Sequence, residues 1–237
     1  MAAPDATLPP DSLINNEDSI KYWEAAGVDA NSMLGGVPAV QGFYGVLRMD
    51  LQGSRTFLAR LGIGIKNGRH PVVSALEGGA GIGRVTEGLL LKVAEQIDVI
   101  EPVVKFTTAL QNKPGVRNVF NVGLQDWQPT KEISYDLIWV QWCVGHLTDV
   151  QLAEFLVRCQ EALNPDGIIV IKENLSTMGS DFFDNRDSSV TREDTKFQSL
   201  FAQANLRIIA TEMQRGFPEN LGRRLLPVRM YALKPKS

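Results

Sequence analysis

An open α/β fold, with a mainly parallel sheet and helices on both faces, is predicted by three features of this sequence. From about Val72 onward, short apolar runs alternate with amphipathic stretches, the pattern that repeated strand–helix–strand units leave in a chain. A glycine-rich turn follows the first of those runs, where such folds make their first crossover. The chain's 237 residues fit one domain of this kind with its core buried.

The elements follow in order. Residues 1–16 read as a flexible tail, because the opening MAAPDATLPP has neither the basic start nor the apolar stretch of a secretory signal. The remainder, 17–237, reads as a single domain. Its first part, 17–61, looks like a helical cap interrupted by the small-residue break LGG (34–36). VVSALE (72–77) is the first strand and GRVTEGLLLKVA (83–94) its helix. IDVIE (97–101) is the second strand, followed by a helix from about Val103. VRNVFNV (116–122) and YDLIWVQ (135–141) are the third and fourth strands. Thr148 and Gln151 then offer a capping box, and Leu152, Phe155, Leu156, Cys159 and Leu163 recur at helical spacing. NPDG (164–167) reads as a turn, IIVIKEN (168–174) as a fifth strand and REDTKFQSLFAQA (192–204) as a helix. Two strands near 206–213 and 228–234, joined only by a loop, should pair antiparallel.

Bulk properties exclude several function classes. Apolar content of 44% with 22% charged residues suits a soluble globular protein, and no apolar run nears the roughly 18 residues of a membrane span. The net charge of −3 argues against a nucleic-acid binder driven by electrostatics and is compatible with a cationic substrate. Cys143 and Cys159 fall in elements that look buried and form no metal-ligand pattern. Neither a metal site nor a disulfide is expected in a cytosolic setting.

Chemistry concentrates in two places. In EGGAGIGR (77–84), Glu77, Gly79, Gly81 and Gly83 follow an acid-x-G-x-G-x-G spacing. These glycines allow a tight turn and let a ligand approach the helix start. The dinucleotide fingerprint G-x-G-x-x-G is not met. Glu101, at the end of the second strand, is placed to accept hydrogen bonds from ribose hydroxyls. Together these features favour S-adenosylmethionine over a nicotinamide dinucleotide. The second place is IWVQWCVGHLTD (138–149), where a buried strand ends on Gln141, Trp142 and His146, one of only two histidines in the chain. Ligands of open α/β sheets gather at such strand ends. Singly, each residue has an ordinary reading: His146 as a cap, Trp142 as core, Asn174 as a strand terminator, Asp184 and Asp187 as solvated loop. Their joint occurrence points to a site.

GAGIGR, GLQDW (123–127), IWVQWCVGHL, IVIKEN and DSSVTR, in this order and spacing, resemble the eukaryotic protein N-terminal methyltransferases. That family methylates the α-amino group of proteins beginning Xaa-Pro-Lys or Xaa-Pro-Arg after removal of the initiator methionine. The similarity runs from Tyr22 and Trp23 to the closing PVRMYALK and is strongest toward fungal members. It implies a Rossmann-like class I S-adenosylmethionine-dependent methyltransferase fold with a seven-stranded, mainly parallel sheet. It places the cofactor against Gly79, Gly81, Arg84, Glu101, Leu124, Gln125 and Gln141. By the same resemblance Trp142 packs on the substrate proline, while Asn174 hydrogen-bonds the substrate backbone. Asp184, Asp187 and Ser189 face the peptide, with Asp184 near the cationic third side chain. Leu34, Gly35 and the glycine after it help close the peptide channel. His146 and Asp187 handle the amine proton. The expected partners are ribosomal and other basic proteins, met by a monomer in the cytoplasm with the nucleus as a second location. Two departures stand out: Glu77 and Glu101 occupy positions where aspartate is common. The stretch ENLGRRLLPVRM (219–230) is also longer than usual and offers Leu226 where the family often has a tyrosine.

The residues alone support the same chemistry. An α-amino group has an unperturbed pKa near 8, so about a tenth is neutral at pH 7. A modest base such as His146 completes the deprotonation, with Asp187 orienting the amine or sharing the proton. Deprotonation before binding would leave both as positioners. A small-molecule amine methyltransferase would share the glycine loop without a peptide channel, and a non-catalytic cofactor-binding scaffold would have no use for the proton-handling pair.

Overall fold

The computed structural model describes residues 8–66, 68–218 and 225–236. The cap begins with helix α1 (Asn16–Ala25), whose N-cap Asn15 accepts from the backbone N–H groups of Glu17 and Asp18. Two short 3-10 turns follow, separated by Gly35 and Gly36 in left-handed backbone at the expected LGG break. Helix α2 (Val46–Arg60) completes the cap. Strand β1 (Val72–Gly78), helix α3 (Arg84–Gly88), strand β2 (Ala94–Ile100), helix α4 (Val104–Thr107) and strand β3 (Val116–Phe120) make the first half of the sheet. Strand β4 (Tyr135–Gln141), helix α5 (Asp149–Glu161) and strand β5 (Leu163–Asn174) extend it on the other side of β1. A separate antiparallel hairpin, β6 (Phe182–Asp184) and β7 (Ser189–Thr191), precedes helix α6 (Asp194–Gln203). Strands β8 (Leu206–Met213) and β9 (Val228–Pro235) then close a seven-stranded sheet of order β3-β2-β1-β4-β5-β9-β8. The first five are parallel, and β9 pairs antiparallel with both β5 and β8.

The continuous apolar run of β4 has its reason in this arrangement. Helices cover both faces of the sheet, so Leu137, Ile138, Trp139 and Val140 all have no exposed surface. One face packs on Phe155 and Leu156 of α5 and Phe197 and Phe201 of α6. The other packs on Phe57 and Leu58 of α2, with Leu89, Leu90 and Leu110. The capping box of α5 is present: the Thr148 hydroxyl accepts from Gln151 N, and the Gln151 side chain accepts from Thr148 N.

Several boundaries differ from the sequence reading. The helix expected over 83–94 stops at Gly88, where a Cβ would lie 2.5 Å from Leu51 Cδ1 of the closely packed α2. Leu89 then leaves helical geometry, a 3-10 turn follows, and β2 starts at Ala94 rather than 97. NPDG is an irregularity inside β5, where the register jumps from Tyr135 opposite Leu163 to Leu137 opposite Ile168. The β6–β7 hairpin was not anticipated, since strands of three residues leave no periodic signal. Of the expected tail, residues 1–7 lie outside the described residues, while those from 10 onward pack on the body. Asp11 accepts from Asp149 N at the start of α5, and Asn15 N donates to Ser188 Oγ at 2.8 Å. Within the long segment 219–230, residues 219–224 also lie outside the described residues, and Leu226 is exposed.

One buried carboxylate joins β2 to its neighbours. Asp98 has no exposed surface and accepts from Arg117 Nε and Nη2, Tyr135 Oη, and both nitrogens of Asn118. Asp98→Ala strands all of these donors, and urea denaturation should show a loss of about 3 kcal/mol or more.

Candidate active site

The glycine loop leaves β1 and turns back over the ends of β2 and β4. Gly79 N and Ala80 N both donate to Ile100 O, while Gly81 N donates to Glu101 Oε2 at 2.9 Å. Gly79 has φ +68°, and a Cβ there would lie 2.5 Å from the Cys143 side chain, so no other residue fits. Two carboxyls stand in the wall behind the loop. Glu77 is 2% exposed and accepts from Thr86 Oγ1; burial pushes its pKa up to about 8, against the Thr86 hydrogen bond and the Arg84 charge. Glu101 is likewise raised by burial, opposed by the N–H groups of Val103 and Gly81.

Gln141 and Arg84 are held by a group that sequence reasoning missed. Asp50 of α2 is fully buried, accepts from Gln141 Nε2 at 2.9 and 3.0 Å, and pairs with Arg84 Nη1 and Lys172 Nζ at 2.5 Å each. Lys172 also donates to Asp50 O, Ser54 Oγ and Gln214 Oε1. Burial pushes the Asp50 carboxyl upward, but the Lys172 and Arg84 charges and hydrogen bonds outweigh it and hold it low. The signal was present in the sequence. Asp50 and Ser54 interrupt the buried stripe of Val46, Phe57 and Leu58, and Lys172 interrupts the apolar run of β5.

Trp142 follows directly, in left-handed backbone at φ +54°. Such a conformation is costly for a bulky residue and is characteristic of functional turns. Its N–H donates to Lys172 O, and Arg84 and Lys172 lie 5.3 and 5.9 Å from its ring centroid. The indole Nε1 is buried without a partner.

His146 ends the 3-10 turn Val144–His146 that links β4 to α5. Arg192, fully buried, fixes this turn by donating to the carbonyls of Val144 and Leu147 while pairing with Asp149. Each imidazole nitrogen has a partner on α1. Trp23 Nε1 donates to His146 Nε2 at 3.1 Å, and His146 Nδ1 lies 2.8 Å from Ser19 Oγ. Burial lowers the His146 pKa, opposed by the Asp187 carboxylate and the carbonyls of Ser188 and Asp187. Ser19 and Trp23 were not singled out as site residues, because a helix with so little buried apolar surface gave no reason to select them.

These groups surround one open cleft, lined by the glycine loop, both carboxyls and the end of β4. Every residue expected to hold the cofactor lines it, as do Trp142 and His146. Leu124 and Gln125 lie in the loop after β3, where Arg158 Nη2 donates to both their carbonyls. The other expected residues lie outside this cleft. Leu34 and Gly35 belong to the cap turn, whose neighbour Met33 does line it. Asn174 ends β5. Asp184, Asp187 and Ser189 belong to the β6–β7 hairpin and its turn, which packs behind His146: Val190 O lies 3.1 Å from where a Cβ on Gly145 would stand. Ser189 Oγ donates to Asp187 Oδ1 at 2.6 Å, and Arg186 N donates to Asp184 Oδ1. The donor set suits S-adenosylmethionine: paired carboxyls for a cationic centre and hydroxyls, Arg84 for a carboxylate, and an unpartnered buried indole N–H at the wall. No group of side chains able to hold a metal ion occurs among the described residues.

Comparison with known proteins agrees with this geometry. A family model described as AdoMet-dependent proline di-methyltransferase matches residues 11–234. The chain is 45% identical over 222 residues to alpha N-terminal protein methyltransferase 1 of Schizosaccharomyces pombe, covering 93% of this chain and 96% of that one. It is 38% identical over 208 residues to the human N-terminal Xaa-Pro-Lys N-methyltransferase 1, covering 84% and 88%. A solved SAM-dependent methyltransferase from Leishmania major superposes with a TM-score of 0.79 at 32% identity, covering 92% of this chain and 82% of that one.

Two outcomes follow from the buried charges. Asp50→Asn frees Arg84 and Gln141, and calorimetry should show S-adenosylmethionine affinity falling about tenfold or more, ~1.4 kcal/mol. Glu77 must ionise to face a cation, so cofactor binding should release a proton and tighten as pH rises toward about 8. The unliganded protein should move oppositely. A carboxyl whose folded pKa is raised from 4.5 to about 8 contributes stability below the lower value that is lost as pH rises through the upper one. Thermal melts and calorimetry in buffers of different ionisation heat check both trends.

Proposed function

Because the chain belongs to the AdoMet-dependent proline di-methyltransferase family, we propose that it methylates the α-amino group of proteins beginning Xaa-Pro-Lys or Xaa-Pro-Arg after initiator-methionine removal. The observation that carries this reading is the end of β4. There the consecutive residues Gln141 and Trp142 line the cofactor cleft, with His146 one turn further on. S-adenosylmethionine, when bound, supplies an activated methyl group and its own leaving group. The chain's residues have the remaining tasks of orienting the amine and removing its proton.

In this reading Gly79, Gly81, Arg84, Glu101, Leu124, Gln125 and Gln141 hold the cofactor, and Trp142 packs on the substrate proline. Asn174 hydrogen-bonds the substrate backbone near its first residue, and Ser189 positions Asp187 through the hydrogen bond between them. Asp184 meets the cationic third side chain, a pairing in which a rim carboxylate contributes more to selectivity than to affinity. Leu34 and Gly35 close the peptide channel. Asp187 and His146 receive or shield the amine proton. The substrates are ribosomal and other abundant basic proteins, and the enzyme acts as a monomer in the cytoplasm and nucleus.

The test is incubation of the purified protein with S-adenosylmethionine and a peptide beginning Ala-Pro-Lys, read by mass spectrometry. Successive methyl additions on the free peptide and none on its N-acetylated form are the expected outcome; an unmodified free peptide overturns the reading. Asp187→Asn should lower turnover by about 100-fold or more while leaving calorimetric cofactor affinity unchanged.

A further inference from the structure

Helix α1 closes over His146 through two hydrogen bonds of unlike kind. An indole N–H can only donate, so His146 Nε2, 3.1 Å from Trp23 Nε1, is its acceptor and carries no proton. The proton of the neutral ring then sits on Nδ1 and is donated to Ser19 Oγ at 2.8 Å. α1 is otherwise fastened by polar contacts at its two ends. Asn16 Nδ2 donates to His146 O, and Lys105 Nζ donates to the carbonyls of Glu24 and Ala26. Ser19 is its one buried residue, so little apolar surface resists its release.

We propose that Ser19 and Trp23 are positioning residues that lock His146 as the neutral Nδ1–H tautomer, so that closure of α1 and protonation of His146 exclude each other. A proton arriving at Nε2 would set two N–H donors against each other and expel the Trp23 indole. While α1 is closed the ring cannot act as a base. His146 becomes protonated only when α1 lifts. This assignment rests on the methyltransferase reading for its consequence, but not for its geometry.

The surrounding charges bear on the same equilibrium. The β6–β7 hairpin presents the Asp187 carboxylate and the carbonyls of Asp187 and Ser188 to the ring. Beneath it, the Arg192 charge is matched by Asp149. Across the cleft stand Glu77, Arg84 and Glu101. Of all these neighbours, the Trp23 N–H is a fixed donor aimed at Nε2, and its removal is the clean test.

With only two histidines in the chain, imidazole ¹⁵N–¹H spectra of the full-length protein are assignable using His70→Gln. His146 should appear as a neutral Nδ1–H ring at neutral pH. Trp23→Phe keeps an aromatic ring but removes the donor, and should raise the His146 titration midpoint by about half a pH unit or more. The acid limb of kcat/KM should move by the same amount. Trp23→Phe should also let the Nε2–H tautomer appear, since no donor then faces that nitrogen, whereas Ser19→Ala keeps the Trp23 donor and should stay Nδ1–H. An Nε2–H ring or an imidazolium at neutral pH, or a midpoint unmoved in Trp23→Phe, overturns the proposal. These spectra need no substrate, so an unmodified Ala-Pro-Lys peptide would defeat the methyltransferase reading without touching the tautomer lock.

Discussion

The carboxylate of Asp50 meets two cations and an amide with no exposure to water, and a cluster of that kind is stable only when complete. Lys172 alone in the sheet would carry an uncompensated charge, and Arg84 alone would be free to swing from the cleft wall. Their common partner on α2 ties three parts of the molecule together: the cap, the helix after the glycine loop, and the central strands. Trp142 is drawn in as well, because its ring lies beneath the same two cations. Buried ion clusters of this type contribute less to net stability than to fixing one arrangement over others. Here the arrangement fixed is the geometry of the cleft wall, where Arg84, Gln141 and Trp142 stand. The cap is therefore a working part of the site and not a cover laid over it.

Much of this was legible in the residues. Strands β1, β4 and β9 fall where apolar runs placed them, because a strand buried on both faces writes a continuous apolar run into the chain, and the largely exposed edge strand β8 falls where its pairing with β9 placed it. The glycine loop was legible because a tight turn admits no side chain: Gly79 has a positive φ, and a Cβ there would meet Cys143. Asp50 and Lys172 were harder to read. A charged residue inside an apolar pattern looks like an error until its partner is known, and these partners lie 122 positions apart. Ser19 and Trp23 were invisible because their importance comes from facing a histidine more than 120 positions away. The shortening of α3 depended on Leu51 of another helix, a contact that local propensity cannot register.

The cleft also shows how one protein can prepare for a cation without paying for an exposed charge. Burial keeps Glu77 and Glu101 inclined toward their neutral forms when nothing faces them, and a positive ligand reverses that balance. Each carboxyl is held in place meanwhile, Glu77 by the Thr86 hydroxyl and Glu101 by two backbone N–H groups, so ionisation requires no rearrangement.

The β6–β7 hairpin stands apart from the main sheet, and its ladder is satisfied internally between Phe182–Asp184 and Ser189–Thr191. The residues proposed for the cofactor, by contrast, all fall between Gly79 and Gln141 and are anchored by Asp50. This division gives the architecture a modular evolvability. A hairpin whose ladder is its own can vary at exposed positions such as Arg186 without disturbing the sheet or the Asp50 cluster, while Asp187 and Ser188 stay tied to His146 and Asn15. Such a segment can drift among descendants of this chain while the glycine loop and the strand ends around it stay constant.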